Sequence, residues 1–305
     1  MRHIFEPSIY YNTFGSYEPV SRIAEGGAEG ATIITKTLDA RGHDQQDQKV
    51  AERGNPLTGP FYIEGAEPGD TLEVTIDKAY PNREFGWTRT VVAAHVVDPS
   101  YVPQVQSDVE LARWRMDLEA GTGTLIEPQT SLTGTALPLA PMLGCLGVAP
   151  SRSQAISSAT SAAHGGNMDY RGLVAGTTVY FPVFEPGALL FVGDGHAVQG
   201  DGEIIGTGIE ISFDVELTVR VHKGKEIGWP RGENDEYIFT MGNARPLDQA
   251  LQHATTEMMC WLQSDYGMDV MGASILLGQC VVYEVGNVFD PAYTMVCKVP
   301  KRWLQ

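Results

Sequence analysis

Residues 209–221 read IEISFDVELTVRV, a run in which apolar and polar side chains alternate without a break. This period of two is typical of a β-strand that buries one face and exposes the other. We therefore predict one long strand whose odd-numbered residues point inward and whose even-numbered residues contact water. Shorter alternations of the same kind run over residues 72–77 and 114–119. The fold that these signals favour is mainly β.

Helical periodicity appears late in the chain. After Pro246, a residue suited to the first turn of a helix, apolar residues recur at spacings of three and four: Leu247, Ala250, Leu251, Ala254, Met258, Trp261 and Leu262. A second, shorter helix is predicted over residues 270–277, before a last strand around 279–285. We expect both helices to pack on a sheet, with a β-sandwich-like core of two sheets. A single domain over residues 1–305, with a helix-containing part at about 244–305, fits a chain of this length.

The charge of the chain excludes two classes of partner. There are 38 acidic and 21 basic residues, which gives a formal net charge of −17. Nucleic acids and anionic membranes both favour clusters of Lys and Arg, so neither is expected as a partner. No apolar run reaches the roughly 18 residues of a membrane span, and no signal segment is recognisable, so a cytoplasmic protein is expected. The four cysteines form no CxxC pair, which argues against a thiolate zinc site.

The densest collection of possible ligands lies in residues 164–203, HGGNMDYRGLVAGTTVYFPVFEPGALLFVGDGHAVQGDGE. One cluster opens this stretch at 164–169, and a second closes it at 194–203. Between them, Glu185-Pro186-Gly187 predicts the turn of a hairpin that would bring the clusters together. Glycines let the backbone approach other atoms closely, so the pattern favours a tight pocket that binds a divalent metal or supplies a general acid and base. In the plainer interpretation, Asp and Asn only cap turns.

Three further polar positions stand out. Asp39 and His43 form a third cluster directly after a predicted strand, and the loop at 55–60 contains two prolines that could hold Asn55 or Thr58 rigidly. His95 lies in the apolar run 91–97, where a histidine is more often a core residue than a ligand. The motifs GxSxG, HExxH, GxxxxGK[ST] and a strand-following GxGxxG are absent from the sequence, which excludes the mechanisms that depend on them.

With these clusters assembled, the sequence resembles the acetamidase/formamidase family over almost the whole chain. The segments that carry the resemblance are NPLTGP (55–60), EGAEPGD (64–70), GVAP (147–150), HGGNMD (164–169) and GDGHAVQGDGE (193–203). The resemblance implies a β-rich sandwich with some helix, hydrolysis of short linear amides to a carboxylate and ammonia, and a homodimer or higher symmetric oligomer. Gln199 stands where some family members have Met, which changes the polarity of the pocket. His43 departs from the commoner DAxGGQ pattern, so Asp39 is the stronger ligand candidate there.

Amide hydrolysis requires an activated water, a stabilised oxyanion and a proton for the leaving nitrogen. We predict that a divalent metal, zinc or calcium, is bound by His164, Asp194 and His196. Asp39 is predicted as a further ligand. The metal would activate the water and stabilise the oxyanion.

The remaining roles fall to neighbouring side chains. Glu203 or Asp169 would move the proton, while Asn167 and the backbone amides of residues 165 and 166 would help to hold the oxyanion. A second class of function stays open at this point, namely a β-sandwich protein that holds calcium structurally and binds a small ligand without catalysis.

Overall fold

The computed structural model describes residues 1–24 and 26–304, and β-strands dominate it. In chain order the strands are β1 (Arg2–Ile4), β2 (Tyr10–Tyr11), β3 (Thr13–Phe14), β4 (Ser21–Ile23), β5 (Ala31–Lys36), β6 (Leu57–Ile63), β7 (Thr71–Pro81), β8 (Phe85–Arg89), β9 (Leu111–Asp117), β10 (Thr122–Glu127), β11 (Ala136–Pro138), β12 (Met142–Gly147), β13 (Ile156–Ser157), β14 (Ser161–Ala162), β15 (Gly165–Asn167), β16 (Thr178–Pro182), β17 (Leu190–His196), β18 (Phe213–His222), β19 (Arg231–Glu233), β20 (Tyr237–Ala244), β21 (Val282–Asn287) and β22 (Tyr293–Pro300). Two helices, α1 (Leu247–Tyr266) and α2 (Val270–Cys280), lie near the C-terminus.

Two large sheets form the core. A nine-stranded sheet has the order β1-β5-β18-β7-β16-β19-β20-β22-β21, and a seven-stranded sheet has the order β14-β15-β12-β17-β6-β2, with β4 beside β6. A four-stranded sheet (β11-β10-β9-β8) and the pair β13-β3 complete the fold. Buried apolar residues from the two large sheets meet in one cluster, for example Val74 and Leu217 with Leu146 and Val192. The prediction of a mainly β fold with a two-sheet core and C-terminal helices is confirmed.

Strand β18 confirms the alternation at its centre and departs from it at its start. Phe213, Val215 and Leu217 are fully buried, as predicted for inward-facing odd positions. The strand begins only at Phe213, because its pairing with β7 ends at Pro81. The four residues before Phe213 do not belong to the nine-stranded sheet, so their even-numbered side chains do not face water. Glu210 is 2% exposed and Ser212 is fully buried. The expectation of one wet face over residues 209–221 is therefore wrong for Glu210 and Ser212.

The two helices pack as predicted, with shifted bounds. Helix α1 follows Pro246 and ends at Gly267, whose left-handed conformation (φ 64°) stops the helix. Its buried stripe contains Ala254, Met258 and Leu262, while Leu251 lies at the margin and is 36% exposed. Helix α2 extends to Cys280, so the strand expected from 279 begins at Val282.

The predicted hairpin around residues 185–187 is wrong. Strand β16 belongs to the nine-stranded sheet and β17 to the seven-stranded sheet, so the turn carries the chain from one sheet to the other. The two ligand clusters nevertheless meet, because β12 pairs with β15 on one side and with β17 on the other. A strand from outside the 164–203 stretch therefore does what the hairpin was expected to do.

Candidate functional site

Strand β12 brings the two clusters within contact distance through Cys145, which lies opposite Asn167 on β15 and opposite Gly193 on β17. The neighbouring position, Gly144, must be a glycine because no side chain fits there. A Cβ at that position would overlap the carboxylate of Asp169 and lie 2.9 Å from Oδ2 of Asp194. The two carboxylates can approach each other only across a glycine.

Backbone strain coincides with the carboxylates that converge here. Asp169, Asp194 and Glu203 adopt positive φ angles of 44°, 58° and 49°, a region that non-glycine residues rarely occupy. Such conformations cost of order 1–3 kcal/mol each and cluster at sites where side-chain direction matters. We call Asp169, Asp194, His196, Glu203 and Glu210 the carboxylate centre.

His196 lies at the middle of the carboxylate centre and is fully buried. Its Nδ1 lies 2.7 Å from Oε1 of Gln199, whose Nε2 donates to the carbonyl oxygen of Asp169 at 2.6 Å. Because that donor fixes the orientation of the Gln199 amide, Nδ1 carries a hydrogen and donates it to Oε1. The other ring nitrogen, Nε2, faces Oε1 of Glu210 at 2.9 Å and Oδ1 of Asp194 at 3.4 Å.

Two overlapping sets of side chains in the carboxylate centre could hold a metal ion. Asp169, His196 and Glu203 form one set; Asp194, His196 and Glu210 form the other. In each set the ligand atoms lie within 4.8 Å of one another, and all of these residues are buried. Within the carboxylate centre, four buried atoms have no hydrogen-bond partner: Asp169 Oδ1, Asp194 Oδ1, His196 Nε2 and Glu210 Oε2. Buried polar atoms are rarely left unpaired, so this donor set fits a cation.

His196 is the one basic side chain among the four carboxylates of the carboxylate centre. Across residues 1–24 and 26–304, no Lys or Arg forms an ion pair with these carboxylates. Burial raises the pKa of Asp169 and of Glu203 well above the ordinary range, and neighbouring carboxylates raise both further. Burial likewise raises the pKa of Glu210 to about 8. Burial lowers the pKa of His196, but Glu210 and Asp194 outweigh it and hold that pKa well above its usual value.

An amide from the far end of the chain links several of these groups. Nδ2 of Asn287 lies 2.6 Å from Oδ2 of Asp169, 3.1 Å from Oε2 of Glu203 and 2.7 Å from Oδ2 of Asp290. Asp290 also accepts a hydrogen bond from Nδ2 of Asn167 at 2.6 Å. The Asn287 amide nitrogen therefore lies among three carboxylates and can donate to two of them at a time.

Asn55 lies directly before β6, whereas residues 57–60 belong to that strand, so the expectation of a loop over 55–60 is wrong for them. Nδ2 of Asn55 donates to Oδ1 of Asn167 and to Oδ2 of Asp194, each at 3.0 Å. Thr58 instead donates to the carbonyl oxygen of Lys36 inside the fold. Residues 165 and 166 lie on β15 between β12 and β14, where backbone amides serve the sheet.

Asp39 occupies a different environment. Its Oδ1 accepts from the backbone nitrogens of Arg41 and His43, each at 2.9 Å, and its Oδ2 accepts from Arg83 and from Nε1 of Trp87. Burial raises the pKa of Asp39, but the Arg83 guanidinium and the hydrogen bonds from His43 and Trp87 together outweigh burial and leave the pKa below its usual value. Asp39 is in neither ligand set.

Two histidines also fall outside both ligand sets. His164 is buried, packs edge-on against Phe14 with ring centroids 4.9 Å apart, and leaves Nε2 without a partner. Burial lowers the pKa of His164 to about 3, so its imidazole is neutral. His95 is exposed in a short turn and contacts the carbonyl oxygen of Val288, so the expectation of a core histidine is wrong.

The sequence profile of the Acetamidase/Formamidase family matches residues 33–162 and 152–256, which is well over half of the chain. The chain belongs to the acetamidase/formamidase family. The resemblance predicted from the five sequence segments is thereby confirmed.

Individual relatives agree with this family assignment. A Schizosaccharomyces pombe protein named as a formamidase is 26% identical over 267 residues, and the acetamidase of Mycolicibacterium smegmatis is 28% identical over 240 residues. These alignments cover 70% and 63% of this chain but only 64% and 59% of the relatives. The crystal structure of an acetamidase from Yersinia enterocolitica is 31% identical, with a TM-score of 0.83 over 100% of this chain and 93% of that one.

Several residues of this family member's carboxylate centre and its surroundings escaped prediction from sequence. Glu210 lies in the alternating run that predicts a water-exposed strand face, and neither Asn287 nor Asp290 lies in a glycine-rich segment.

Among the described residues, no helix is long and apolar enough to cross a membrane.

Proposed function

We propose that the protein is a hydrolase that cleaves the C–N bond of short linear amides to give a carboxylate and ammonia. The observation that carries the proposal is the carboxylate centre, whose four buried ligand atoms have no hydrogen-bond partner. Family membership supports the reaction class, and the relatives named as acetamidase and formamidase support the substrate class. Buried polar groups that serve only the fold would be expected to have hydrogen-bond partners.

We infer that Asp194, His196 and Glu210 hold a divalent metal, zinc or calcium. Nε2 of His196 is the nitrogen ligand and faces one oxygen of each carboxylate; a bound metal would displace the proton that these carboxylates hold there. Glu210 is thus proposed as a metal ligand in place of His164 and Asp39, which lie outside both ligand sets. Mixed nitrogen and carboxylate ligation suits zinc, whereas calcium prefers oxygen ligands alone. A bound divalent ion would supply Lewis acidity to a nearby water and to the amide carbonyl.

The proton chemistry is assigned to Glu203 and Asp169. Burial and the neighbouring carboxylates raise the pKa of Glu203, so this side chain can hold a proton near neutral pH. A protonated carboxyl group can then pass its proton to the leaving nitrogen, which would otherwise depart as a poor amide anion. Asp169 shares the Asn287 amide with Glu203 and can exchange the proton with it. Asn167 acts as a positioning residue, because its amide holds Asp290.

A homodimer or higher symmetric oligomer is proposed as the assembly. Strand β21 is an edge of the nine-stranded sheet, and Val282 and Tyr283 on it are 38% and 37% exposed. Met271 and Ile275 on the adjacent helix α2 are 73% and 60% exposed. An open edge beside apolar side chains is a surface that proteins normally cover. Light scattering that gives the mass of one chain at micromolar concentration would refute the proposal.

The test of function compares Glu203→Gln with Asp201→Asn. Both changes neutralise a carboxylate in the same loop, but Asp201 is exposed and pairs with Arg171, whereas Glu203 is 5% exposed. Ammonia release from formamide, acetamide and longer linear amides should fall by about 10²–10⁴-fold in Glu203→Gln, the range of a general acid or base. Metal content should stay at the wild-type level in both variants.

The alternative outcomes are equally definite. A wild-type protein that binds the metal but releases no ammonia from any amide would favour the binding protein without catalysis. Loss of metal from Glu203→Gln would make Glu203 a ligand rather than a proton donor.

A further inference from the structure

A second cavity lies on the outer face of the nine-stranded sheet, away from the carboxylate centre. It has a volume of about 130 Å³ and is bounded by β16, β19 and helix α1. On β16, Val179 and Phe181 point into the core between the two large sheets, whereas Tyr180 packs against Trp261 of α1 with ring centroids 6.0 Å apart. No residue of the carboxylate centre lines this outer cavity.

Arg231 supplies the unusual feature of the outer cavity. Its side chain lines the cavity and is 4% exposed. Nε donates to Oε1 of Glu257 at 2.6 Å, but the buried Nη1 has no hydrogen-bond partner. Oδ1 of Asp265 lies 4.0 Å from Nη1, beyond hydrogen-bond distance. A buried cationic donor without an acceptor costs stability, and an acceptor supplied by a ligand would remove that cost.

The acids around the cavity already have partners. Glu233 accepts from Oη of Tyr180 and from Nζ of Lys301, each at 2.5 Å. Asp265 accepts from Nζ of Lys225 at 2.6 Å. These carboxylates are therefore held by other donors, and neither of them forms a hydrogen bond with Nη1 of Arg231.

We propose that the outer cavity binds a small carboxylate monoanion, with Arg231 as the principal donor and Lys225 at the rim. A guanidinium group matches the planar fork of a carboxylate better than an ammonium group does. Glu233 and Asp265 line the same cavity, so a doubly charged phosphate would meet stronger repulsion than a monoanion. Tyr180 and Trp261 offer apolar ring surface to a short alkyl group. The cavity volume admits a ligand of only a few non-hydrogen atoms.

The test is isothermal titration of the full chain with acetate, in wild type and in Arg231→Lys. The account predicts one saturable site that is weakened about tenfold or more by Arg231→Lys, since lysine keeps the charge but loses the fork. The exposed Arg152 serves as the matched control, and Arg152→Lys should bind acetate as wild type does. Product carboxylate could also enter the proposed active site. The titration is therefore repeated in His196→Ala, where the Arg231-dependent site should persist whether or not the proposed function is correct.

Further variants and ligands make every outcome decisive. If Arg231→Lys does not fold, the exposed Lys225→Gln replaces it, with acetate binding expected to weaken several-fold. Equal acetate affinity in wild type and the folded arginine variant overturns the proposal. So does tighter binding of inorganic phosphate than of acetate, or the absence of saturation below about 10 mM acetate.

Discussion

Asp39 and Asp169 are both completely buried, yet their surroundings have opposite effects on them. Burial raises the pKa of each carboxyl group. At Asp39 the Arg83 guanidinium and the hydrogen bonds from His43 and Trp87 together outweigh burial, and the pKa is lowered. At Asp169 the neighbouring carboxylate of Asp194 adds to burial, and the pKa is raised well above its usual value.

The difference teaches that burial of a carboxylate does not by itself identify a metal ligand. Asp39 has four donors for its two oxygens, which leaves no site for a cation. Asp169 and Asp194 each keep an oxygen with no partner. A buried carboxylate oxygen that has no partner and lies beside other carboxylates needs a cation to compensate its charge. In a buried ion pair the charge is already compensated.

The largest effect is expected for His196→Ala. This change removes the one nitrogen that both ligand sets share, so bound metal and ammonia release should be lost together. We expect a rate loss of at least about 10⁴-fold, the upper limit for a single acid–base residue. Metal analysis and ammonia release should be measured on the same preparation. His253→Ala, on helix α1, is the control and should leave both unchanged; full activity in His196→Ala would place the chemistry elsewhere.

A different loss is expected for Asp39→Asn, which removes the buried carboxylate that pairs with Arg83. The free energy of unfolding should fall by about 3–5 kcal/mol, while the metal content of the folded protein stays the same. Asp47→Asn is the matched control, because Asp47 also pairs with Arg83 but is 60% exposed, and its loss should cost at most about 1 kcal/mol. Denaturant unfolding with metal analysis checks both. Metal loss from folded Asp39→Asn would restore Asp39 as a ligand.

The ion pair between Asp39 and Arg83 also predicts that the stability of the fold depends on pH. Because the folded state lowers the pKa of Asp39, the stability from this pair is fully present above the ordinary aspartate pKa. It is lost as the pH falls through the lowered value. Asp39→Asn cannot titrate, so the difference in unfolding free energy between it and wild type should shrink on acidification. A constant difference would contradict the pKa assignment.

The smallest effect is expected for Gln199→Met. Gln199 accepts the hydrogen bond from Nδ1 of His196 and so keeps Nε2 free as a ligand. Without that acceptor, metal affinity should fall by about 10–100-fold, the usual cost of losing such a support. Gln199→Glu retains an oxygen acceptor and should lose less than Gln199→Met. Equal metal affinity in Gln199→Met and wild type would show that the ring does not need this support.

Local patterns predicted the elements of the fold, and long-range pairing escaped them. The alternation that ends in β18 and the stripe on α1 are properties of neighbouring residues, so sequence alone identified both. The role of β12 depends on which strands pair, and this is decided by the whole core. Asp194 and His196 were predicted because glycines surround them. Glu210 was not predicted because the alternation of apolar and polar residues begins before the chain enters the nine-stranded sheet at Phe213. Asn287 was not predicted because no local sequence pattern marks it.

We propose that the carboxylate centre holds a divalent metal on which amide hydrolysis depends. The most direct measurement removes metal from the wild-type protein with a chelator and then restores zinc or calcium in steps, while bound metal and ammonia release are recorded together. The account predicts that activity disappears with the metal and returns in proportion to the ion bound. A metal-free protein that releases ammonia at the untreated rate would contradict it.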